Sequence, residues 1–488
     1  MTRPLYNNSM IKIAIIGAAS LTFSHKLLMD LLTMKLNDHC RIILMGPRAK
    51  PLKMYQSHIQ KVISDNAIDF SVYSTTNMRE AVDGADYVLT LFAIGGLPCT
   101  EQDYKIPLSY GVDQCIGDSM GPGGIFRSQR VLPVFCELVK LMQAHCPDAF
   151  LMNYVNPMAI TTMAADRLGF KRYIGLCGGV EATKNYMAHV LNEQTKNLDF
   201  AFAGINHMCF ALSVKKDGVD LYPEFKSRMH DPGYLVWEKV RFDVMQHFGY
   251  FATESSGHLS DFLPWYRSNP TRRERYGSND GFHGASGAYF KFSRFIAKNL
   301  GEDNYLQFSD TSLQPRSNDY GVNIIEALHN KTDYSFYGNV CNTGGYIDNL
   351  PASAAVEIPV RIEKGAVLPQ HCGSLPPALR AMIQTNLNVH DLCMEAFFSG
   401  DSSLLVAALA FDPLTSSVLS PHSCTLLARE MLEKQKRFFP QFEEKPLMPT
   451  QHIKANYAKK PYPVPEEFDL SALVNYRRSL RKLGKKDG

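Results

Sequence analysis

The sequence predicts an α/β protein in which a doubly wound parallel sheet is followed by a region of mixed α+β structure. Between Ile11 and about Cys177, short apolar runs alternate with longer stretches of helical periodicity. From about Phe200, strands, helices and loops with scattered proline and glycine replace this alternation. Strands that alternate with helices form a parallel sheet covered on both faces. At the usual ~100–200 residues per domain, we expect two domains, residues 1–195 and 196–488.

The first element is the apolar run IKIAIIG, which enters the turn GAAS and then an amphipathic stretch. A strand, a tight turn and a helix in this order are typical of a Rossmann-like dinucleotide-binding domain. Small residues at the turn allow backbone N–H groups to reach a pyrophosphate at the helix N-terminus. Only Gly17 remains of the usual three-glycine fingerprint. Gly17, Ala18, Ala19 and Ser20 are therefore either cofactor-binding residues or an ordinary strand–helix turn.

The second strand is CRIILMG, residues 40–46. A dinucleotide-binding domain usually places a carboxylate at the end of this strand to bind the ribose hydroxyls. Here the strand is followed by Gly46, Pro47 and Arg48, without a carboxylate. Arg48 either pairs with a 2′-phosphate, which would favour NADP over NAD, or is a solvated loop residue.

Three more strands and a long helix complete the parallel region. The strands are predicted at residues 85–96, 149–159 and 172–179, and the helix at residues 130–146. Ligands of such sheets bind outside the carboxyl ends of the strands, so polar residues there are candidates for a site. Beyond them, FAFAGINHMCFALSVKKDGVDLYPEF predicts strands with a turn at Asp217 and Gly218.

Composition excludes several classes of function. The net charge is +3, from 51 Lys and Arg against 48 Asp and Glu, which gives no case for a nucleic-acid or membrane surface. No apolar run approaches the roughly 18 residues of a membrane span, and MTRPLYNNSM lacks the apolar core of a signal peptide. The eleven cysteines include no C-x-x-C pair and indicate reduced thiols. We therefore expect a cytoplasmic protein.

Cys177 and His207 form a candidate metal pair. Cys177 ends a predicted strand, and His207 follows thirty residues later in GINHMCF. A thiolate and an imidazole suit Mn²⁺, Fe²⁺, Co²⁺, Ni²⁺ or Zn²⁺. A buried cysteine, however, is usually a small hydrophobic side chain. The spacing alone does not decide between ligands and structural residues.

The ordered set of motifs resembles the NAD- and metal-dependent glycosidases of glycoside hydrolase family 4. The likeness runs over residues 11–440 and is carried by KIAIIGAAS, FAIGG, DSMGPGGIFR, MNYVNPMAI, YIGLCGG, AGINHMCF, TESSGHLSDFLPWY and YGNVCNTGGYIDNLP. FAIGGLPCTEQD and YVNPMAI are most similar to the α-galactosidase and α-galacturonidase-like branch. The resemblance implies an architecture like that of lactate and malate dehydrogenases. It also implies NAD and a divalent metal, Mn²⁺, as cofactors, a small carbohydrate as substrate, and a homodimer or homotetramer.

The chemistry that this resemblance implies is redox-assisted hydrolysis of an α-galactoside or a related α-hexoside or uronide. The sugar C3 hydroxyl is oxidised, and the resulting ketone, polarised by the metal, acidifies the C2 proton. A base removes that proton and the aglycone leaves by elimination. Water then adds, the hydride returns to C3, and no NAD is consumed overall.

The resemblance also assigns roles to single residues. Cys177 and His207 match the metal ligands, and Asn156 in NYVNP matches the asparagine that holds the sugar hydroxyls. Asp118, which precedes MGPGG, matches an acidic position at the sugar site, where we count it as catalytic. Asn153 is a second substrate-binding candidate or, equally, the cap of its strand.

Several positions depart from the family pattern. Gly178 stands where the α-galactosidase branch has histidine and another branch has an aspartate credited as general acid. Phe262 aligns near the position of the family's tyrosine base. Asp261 and His258 beside it are candidate catalytic residues, since a carboxylate or an imidazole can accept the proton. Both are otherwise polar loop residues.

The third departure is QPRSNDYG, in which Asn318 occupies the arginine position of the family motif Ser-Arg-Glu-Tyr. Arg316 is the nearby candidate for substrate binding. The fourth is the missing carboxylate at Gly46. If the substrate is a uronide, its carboxylate needs a partner from Arg48, Arg127, Arg267 or Arg316.

Three hypotheses therefore stand. The first is an active glycosidase, and the second is a degenerate family member that binds a sugar or a dinucleotide. The third is a dehydrogenase of the lactate/malate type. The sequence shows no clear arginine with a His–Asp pair for such a dehydrogenase, and that hypothesis leaves Cys177 and GINH unexplained.

Overall fold

A computed structural model describes residues 10–18, 21–36, 38–277, 281–300, 310–313, 315–317, 319–447 and 475. The candidate cofactor residues Ala19 and Ser20, and Asn318 of the altered motif, lie outside the described residues. In the part of the chain that the structure describes, no helix is both long and apolar enough to cross a membrane.

The described strands all belong to a single mixed sheet of thirteen strands. They are β1 Ile11–Ile16, β2 Cys40–Met45, β3 Phe70–Thr75, β4 Tyr87–Thr90, β5 Phe150–Asn153, β6 Tyr173–Gly175, β7 Asp199–Ile205, β8 Met208–Lys216, β9 Val219–Asp220, β10 Phe251–Ala252, β11 Tyr334–Cys341, β12 Ala355–Glu363 and β13 Ala366–Pro369. Their order across the sheet is β10-β8-β7-β12-β11-β6-β5-β4-β1-β2-β3, with β13 beside β12 and β9 beside β8.

Eighteen α-helices are found among the described residues. They are α1 Leu21–Leu31, α2 Ala49–Asp65, α3 Met78–Val82, α4 Gly96–Ser109, α5 Gly121–His145, α6 Met158–Arg167, α7 Gly179–Val190, α8 Tyr222–Ser227, α9 Pro232–Leu235, α10 Lys239–Phe248, α11 Ser256–Asp261, α12 Pro270–Tyr276, α13 Ala288–Leu300, α14 Gly321–Asn330, α15 Pro377–Ser399, α16 Ser403–Phe411, α17 Pro413–Ser416 and α18 Pro421–Lys434.

The strands β6, β5, β4, β1, β2 and β3 are all parallel. Alternate residues of β1 point to opposite faces, as the period of a strand requires. Ala14 and Ile16 join one hydrophobic core, whereas Ile13 and Ile15 join a second core on the other face. A strand that is apolar on both faces needs cover on both, which explains why IKIAII is apolar at every position except Lys12. The predicted Rossmann-like doubly wound sheet is confirmed.

The second half of the chain extends the same sheet with antiparallel strands. The strand β11 pairs with β6 and β12 in antiparallel fashion, and β7 pairs with both β12 and β8. Asp217 and Gly218, with φ of 49° and 81°, make the predicted turn between β8 and β9. The α+β character of this region is therefore confirmed, while the division at residues 195 and 196 stays a prediction.

Candidate active site

A cavity of about 410 Å³ lies at the carboxyl ends of β5 and β6 and draws residues from both halves of the chain. Its lining residues are Lys26, Leu27, Tyr154, Asn156, Met158, Leu176, Cys177, Gly178, Glu181, Ala182, Asn185, His207, Asp319 and Tyr320. A larger cavity of about 810 Å³ beside α18 contains none of the candidate site residues. The position of the smaller cavity is the one at which doubly wound sheets bind their ligands.

The candidate metal pair lies at this cavity. Cys177 follows β6, and His207 lies in the two-residue turn between β7 and β8. His207 has a left-handed backbone with φ of 64° and is 4% exposed. Its Nδ1 atom has no hydrogen-bond partner among the described residues. Strained backbone and an unpartnered buried imidazole nitrogen together indicate a functional site.

Glu254 is a site residue that the sequence analysis misses. Its Oε1 atom lies 3.2 Å from the Cys177 Sγ, which donates to it, and 3.9 Å from His207 Nε2. Its Oε2 atom lies 3.7 Å from His258 Nδ1. Glu254 is also left-handed, with φ of 70°. The signal that points to it is the four-residue spacing between Glu254 and His258 in TESSGH.

The donor atoms of Cys177, His207 and Glu254 all lie within 4.8 Å of one another. A thiolate, an imidazole and a carboxylate are common ligands of divalent transition metals. The unpartnered His207 Nδ1 shows that one donor is not satisfied by the described protein alone. These residues therefore fit a divalent metal ion, which Cys177, His207 and Glu254 would hold. A second set of possible ligands consists of Asp118, His207 and His258. Its donor atoms also lie within 4.8 Å of one another, and His207 belongs to both sets.

Burial and neighbouring charges set the protonation of this cluster. Burial, together with the nearby His258, lowers the pKa of His207 to about 4, so the imidazole is neutral, as a metal ligand must be. Burial opposes ionisation of Glu254, but the two histidines and the Cys177 thiol outweigh it and hold its pKa below the usual range. Burial and the Glu254 charge raise the pKa of the Cys177 thiol.

Asp118, predicted as catalytic, lies beside the metal cluster. Its Oδ2 atom accepts a hydrogen bond of 2.9 Å from the Asn156 side chain, which lines the cavity. Its Oδ1 atom accepts one of 2.8 Å from Ser119. Burial opposes ionisation of Asp118, but the Arg127 guanidinium and His258 outweigh it and lower its pKa. Asp118 is therefore an ionised carboxylate, and the structure brings it together with Asn156.

His258, the second predicted catalytic residue, lies between two carboxylates. Its Nε2 atom is 3.7 Å from Asp118 Oδ1, and its ring centroid is 4.2 Å from that of His207. Burial alone would lower the pKa of His258, but Glu254 and then Asp118 outweigh it and raise the pKa. An imidazole held in this way can store and deliver a proton. Phe262 packs with its ring centroid 5.7 Å from that of His258 and offers no titratable group.

Asp261, the third predicted catalytic residue, does not line the cavity, and Asp118 and His258 do not line it either. Its two oxygens accept backbone hydrogen bonds from Cys115 at 2.9 Å, Ile116 at 2.8 Å and Gly117 at 3.1 Å. The side chain is 1% exposed. Three backbone donors occupy the lone pairs that a base would need. Asp261 therefore holds the segment that leads into Asp118, and its predicted catalytic role stays a prediction.

Asn153 and Arg316, both predicted to bind substrate, also make their contacts inside the fold. The oxygen of Asn153 accepts from Thr90 at 2.6 Å and from the Val155 backbone at 3.1 Å, and the residue is fully buried. These contacts favour the interpretation of Asn153 as the cap of its strand, and its predicted substrate binding stays a prediction. Arg316 pairs with Glu326 at 2.6 Å, donates to Thr33 at 2.7 Å and does not line the cavity.

The candidate cofactor turn lies at the carboxyl end of β1. Gly17 has φ of 98°, and a Cβ atom there would lie 2.6 Å from the Phe92 backbone nitrogen, so only glycine fits. The Gly17 and Ala18 N–H groups donate to the Met45 carbonyl of the neighbouring strand, at 2.9 and 3.0 Å. Arg48 lies just beyond that strand as the N-cap of α2. This close-packed turn is the one that a dinucleotide-binding domain needs.

Glu357 on β12 is a further buried carboxyl group that the sequence analysis misses. It is 1% exposed and accepts a hydrogen bond of 3.2 Å from Asn339. Burial, with the nearby charge of Glu254, raises its pKa to about 8. The carboxyl is therefore protonated at neutral pH, which limits the negative charge behind the metal cluster.

Replacing Glu357 by glutamine should change how stability depends on pH. The unfolded carboxyl has a pKa of about 4.3, so the folded chain holds a proton that the unfolded chain releases. Stability of the metal-free wild type should fall between about pH 4.5 and pH 8, by on the order of 4 kcal/mol. Thermal melts in chelator should show this fall, and Glu357→Gln should remove it. Glu363 on the same strand, which is half-buried, is the control, and parallel wild-type and Glu357→Gln profiles would contradict the expectation.

Comparison with known proteins gives the same family over most of the chain. The sequence model described as "Family 4 glycosyl hydrolase" matches residues 12–193, and the one described as "Family 4 glycosyl hydrolase C-terminal domain" matches residues 202–415. An alpha-galactosidase of Rhizobium meliloti (strain 1021) is 34% identical over 443 residues, which cover 88% of this chain and 89% of that protein.

An alpha-galactosidase of Bacillus subtilis (strain 168) is 32% identical over 444 residues, which cover 89% of this chain and 100% of the relative. Among solved structures, a 6-phospho-alpha-glucosidase from gut microorganisms in complex with NAD and Mn²⁺ superposes with a TM-score of 0.71. That protein is 19% identical, and the match covers 88% of this chain and 99% of the other. Two family models and relatives above 30% identity agree, so the chain belongs to family 4 of the glycoside hydrolases.

Proposed function

We propose that this protein hydrolyses the O-glycosidic bond of α-galactosides, or of related α-hexosides or uronides, in an NAD- and metal-dependent reaction. The observation that carries the proposal is the cluster of Cys177, His207 and Glu254, of which Cys177 and His207 line, with Asn156, a cavity at the carboxyl ends of a Rossmann-like sheet. The two relatives above 30% identity are both named alpha-galactosidases, which supports the choice of sugar.

When bound, NAD and a divalent ion supply a hydride acceptor and a Lewis acid that polarises a sugar oxygen. Cys177, His207 and Glu254 hold the ion, with Mn²⁺ as the proposed metal. The turn at Gly17 and the adjacent Arg48 hold the dinucleotide, which is NAD, with NADP as the alternative. Asn156 binds a sugar hydroxyl at the cavity wall, and its own orientation is fixed by the hydrogen bond to Asp118.

We assign proton transfer to Asp118 and His258. Asp118 is ionised and adjoins Asn156, so it can accept a proton from a sugar bound there. The pKa of His258 is raised and its Nε2 atom lies 3.7 Å from Asp118 Oδ1, so the protonated form of His258 can donate its own proton to the leaving group while Asp118 holds the one it accepts. Gly178 and Phe262 cannot perform these steps, since neither side chain titrates. Of the four arginines considered for a uronide, Arg127 is the one close to Asp118, whereas Arg267 pairs with Asp113.

Two alternatives differ in what they require of the site. The pair of His258 and Asp118 is the kind that a lactate/malate-type dehydrogenase uses, but that activity leaves the Cys177, His207 and Glu254 cluster without a purpose. A degenerate binding protein would have no need to keep a strained His207 and Glu254 beside a thiol. Family membership favours the glycosidase over the dehydrogenase.

Further features of the proposal concern the whole chain. All eleven cysteines are free thiols, which supports a cytoplasmic location. Separate family models for residues 12–193 and 202–415 support a dinucleotide domain at 1–195 and a substrate, metal and oligomerisation domain at 196–488. We propose that the protein assembles as a homodimer or homotetramer.

The proposal predicts cleavage that needs both cofactors. Purified protein with Mn²⁺, NAD and a reductant would be tested on nitrophenyl and natural α-glycosides, neutral and uronic, in D₂O. Cleavage should stop on omission of metal or NAD, and deuterium should enter sugar C2, because the C2 proton exchanges with solvent. Cleavage without deuterium at C2 would contradict the mechanism. Net NADH formation would indicate a dehydrogenase, and tight cofactor binding without cleavage would indicate a degenerate binding protein.

A further inference from the structure

One wall of the catalytic cavity is a single face of α7. The cavity is lined here by Gly178, which is the N-cap of the helix, and by Glu181, Ala182 and Asn185. Their spacings of three, four and seven residues place them on the same side of the helix. Cys177 immediately precedes this α7 face, so the face runs from the metal cluster outward along the helix.

The start of the α7 face has room for a ligand. A Cβ atom added at Gly178 would meet no heavy atom within 4 Å. The φ of Gly178 is −74°, which any residue adopts, so the glycine is not needed for backbone conformation. Ala182, the next residue of the face on the following turn, is small and exposed. Open space therefore extends from the metal cluster along α7.

The polar groups of the α7 face are held in place by neighbours. Both oxygens of Glu181 lie 3.0 Å from Lys184 Nζ. That ammonium group lies 6.0 Å from the Phe200 ring centroid and 5.8 Å from that of Tyr337, within range of a cation–π interaction. The Lys184 ammonium therefore orients the Glu181 carboxylate, whose oxygens are hydrogen-bond acceptors.

Asn185 provides the complementary donor. Its side-chain oxygen accepts a hydrogen bond of 2.7 Å from the Thr195 hydroxyl. The amide nitrogen is then the group that Asn185 offers to a ligand. Four residues of α-helix separate it from Glu181, a rise of about 6 Å. An acceptor and a donor at this spacing can bind two hydroxyls of one pyranose ring.

We propose that the α7 face binds the leaving-group sugar, so that the preferred substrate is a neutral disaccharide or longer oligosaccharide with an α-linked terminal residue. This inference rests on the proposed glycosidase function, since only that function has a leaving group. Hydroxyls of a neutral sugar satisfy Glu181 and Asn185 together, whereas a uronic leaving group would bring a second negative charge to Glu181. The candidate cofactor residues Gly17 and Arg48 do not line this cavity, whereas Lys26 and Leu27 of α1, the helix that follows the dinucleotide turn, line it together with the α7 face.

The inference is tested by the ratio of two kcat/KM values, one for a galactosyl-glucose disaccharide with an α linkage and one for nitrophenyl α-galactoside. In Glu181→Ala, kcat/KM for the disaccharide should fall about tenfold, because the variant loses one hydrogen bond to a charged group and such a loss corresponds to a change of about that size. For the nitrophenyl glycoside, whose leaving group has no hydroxyls, it should change less than about twofold. Glu181→Gln keeps an acceptor oxygen and should lose less.

The matched control is Glu193→Gln, which also removes a lysine-paired glutamate but lies outside the cavity, where Glu193 pairs with Lys216. It should leave both kcat/KM values unchanged. The inference would be overturned if kcat/KM fell equally for both substrates in Glu181→Ala. It would also be overturned if the KM for NAD rose while the ratio of the two kcat/KM values stayed unchanged.

A binding measurement separates this inference from the proposed function. The disaccharide is titrated into wild type and Glu181→Ala loaded with Mn²⁺ and NAD, with saturation-transfer NMR as the readout. Binding about tenfold weaker in the variant supports the α7 face even if the wild type cleaves neither substrate, a result that would refute only the proposed function. Equal binding by the two proteins overturns the inference.

Discussion

Replacing Cys177 by serine should weaken the binding of a divalent transition metal by at least about 100-fold and reduce glycoside cleavage to background. The thiolate is the softest donor of the Cys177, His207 and Glu254 cluster, and a serine hydroxyl stays protonated and neutral at pH 7. Even groups that only orient metal ligands contribute about 10–100-fold to affinity, so the loss of a direct ligand should exceed that. Titration with Co²⁺ gives the affinity, because a thiolate ligand produces a charge-transfer absorption that serine cannot.

Cys209→Ser is the matched control for this prediction. Cys209 is also a buried thiol and follows His207 by two residues, but its Sγ donates to the Glu357 carbonyl at 3.6 Å. Metal affinity of Cys209→Ser should remain within about twofold of the wild type. Wild-type affinity in Cys177→Ser would instead place the ion in the second donor set of Asp118, His207 and His258.

The fold is predictable from the sequence because its signals are local, and Cys177 and His207 are candidates because the motifs of the resemblance are ordered along the chain. Apolar runs of β1, β2, β4, β5 and β6 stand out since each strand is buried on both faces and lies between helical stretches. The strand β3, FSVYST, is missed because it lies at the edge of the sheet and only Phe70 and Val72 are buried there. The long helix predicted at residues 130–146 begins earlier, at Gly121, because MGPGG forms its first turn.

The four-residue spacing to His258 is the sequence's only sign of Glu254, and the contacts of Asp261 leave none, because both depend on long-range packing. The Glu254 carboxylate reaches Cys177 across 77 residues of chain. That contact requires a left-handed backbone at Glu254, which no local pattern announces. Asp261 looks like a catalytic residue because it stands next to the family's tyrosine position. Its partners are backbone N–H groups more than 140 residues earlier in the chain, and backbone donors leave no mark on the sequence.

Replacing Asp261 by alanine should lower the free energy of unfolding by about 3–5 kcal/mol, the usual cost of removing one partner of a buried charged network. The change leaves the N–H groups of residues 115–117 without their acceptor and removes a carboxylate 3.7 Å from the Arg267 guanidinium. Urea unfolding measures the loss. Asp243→Ala, which removes a partly exposed carboxylate bonded to Tyr266 at 2.9 Å, should cost about 1 kcal/mol or less.

The same variant decides between the two roles of Asp261. A base that acts on the substrate would lose kcat on substitution while the stability of the protein stayed near that of the wild type. A residue that holds the segment before Asp118 loses stability first, and kcat/KM falls because Asp118 and Asn156 are no longer held together. Asp261→Asn keeps one carbonyl oxygen for the backbone donors, so it should recover part of the stability and of the activity together. Unchanged stability with abolished kcat in both variants would instead make Asp261 the base, and the three backbone hydrogen bonds would then have to break during turnover.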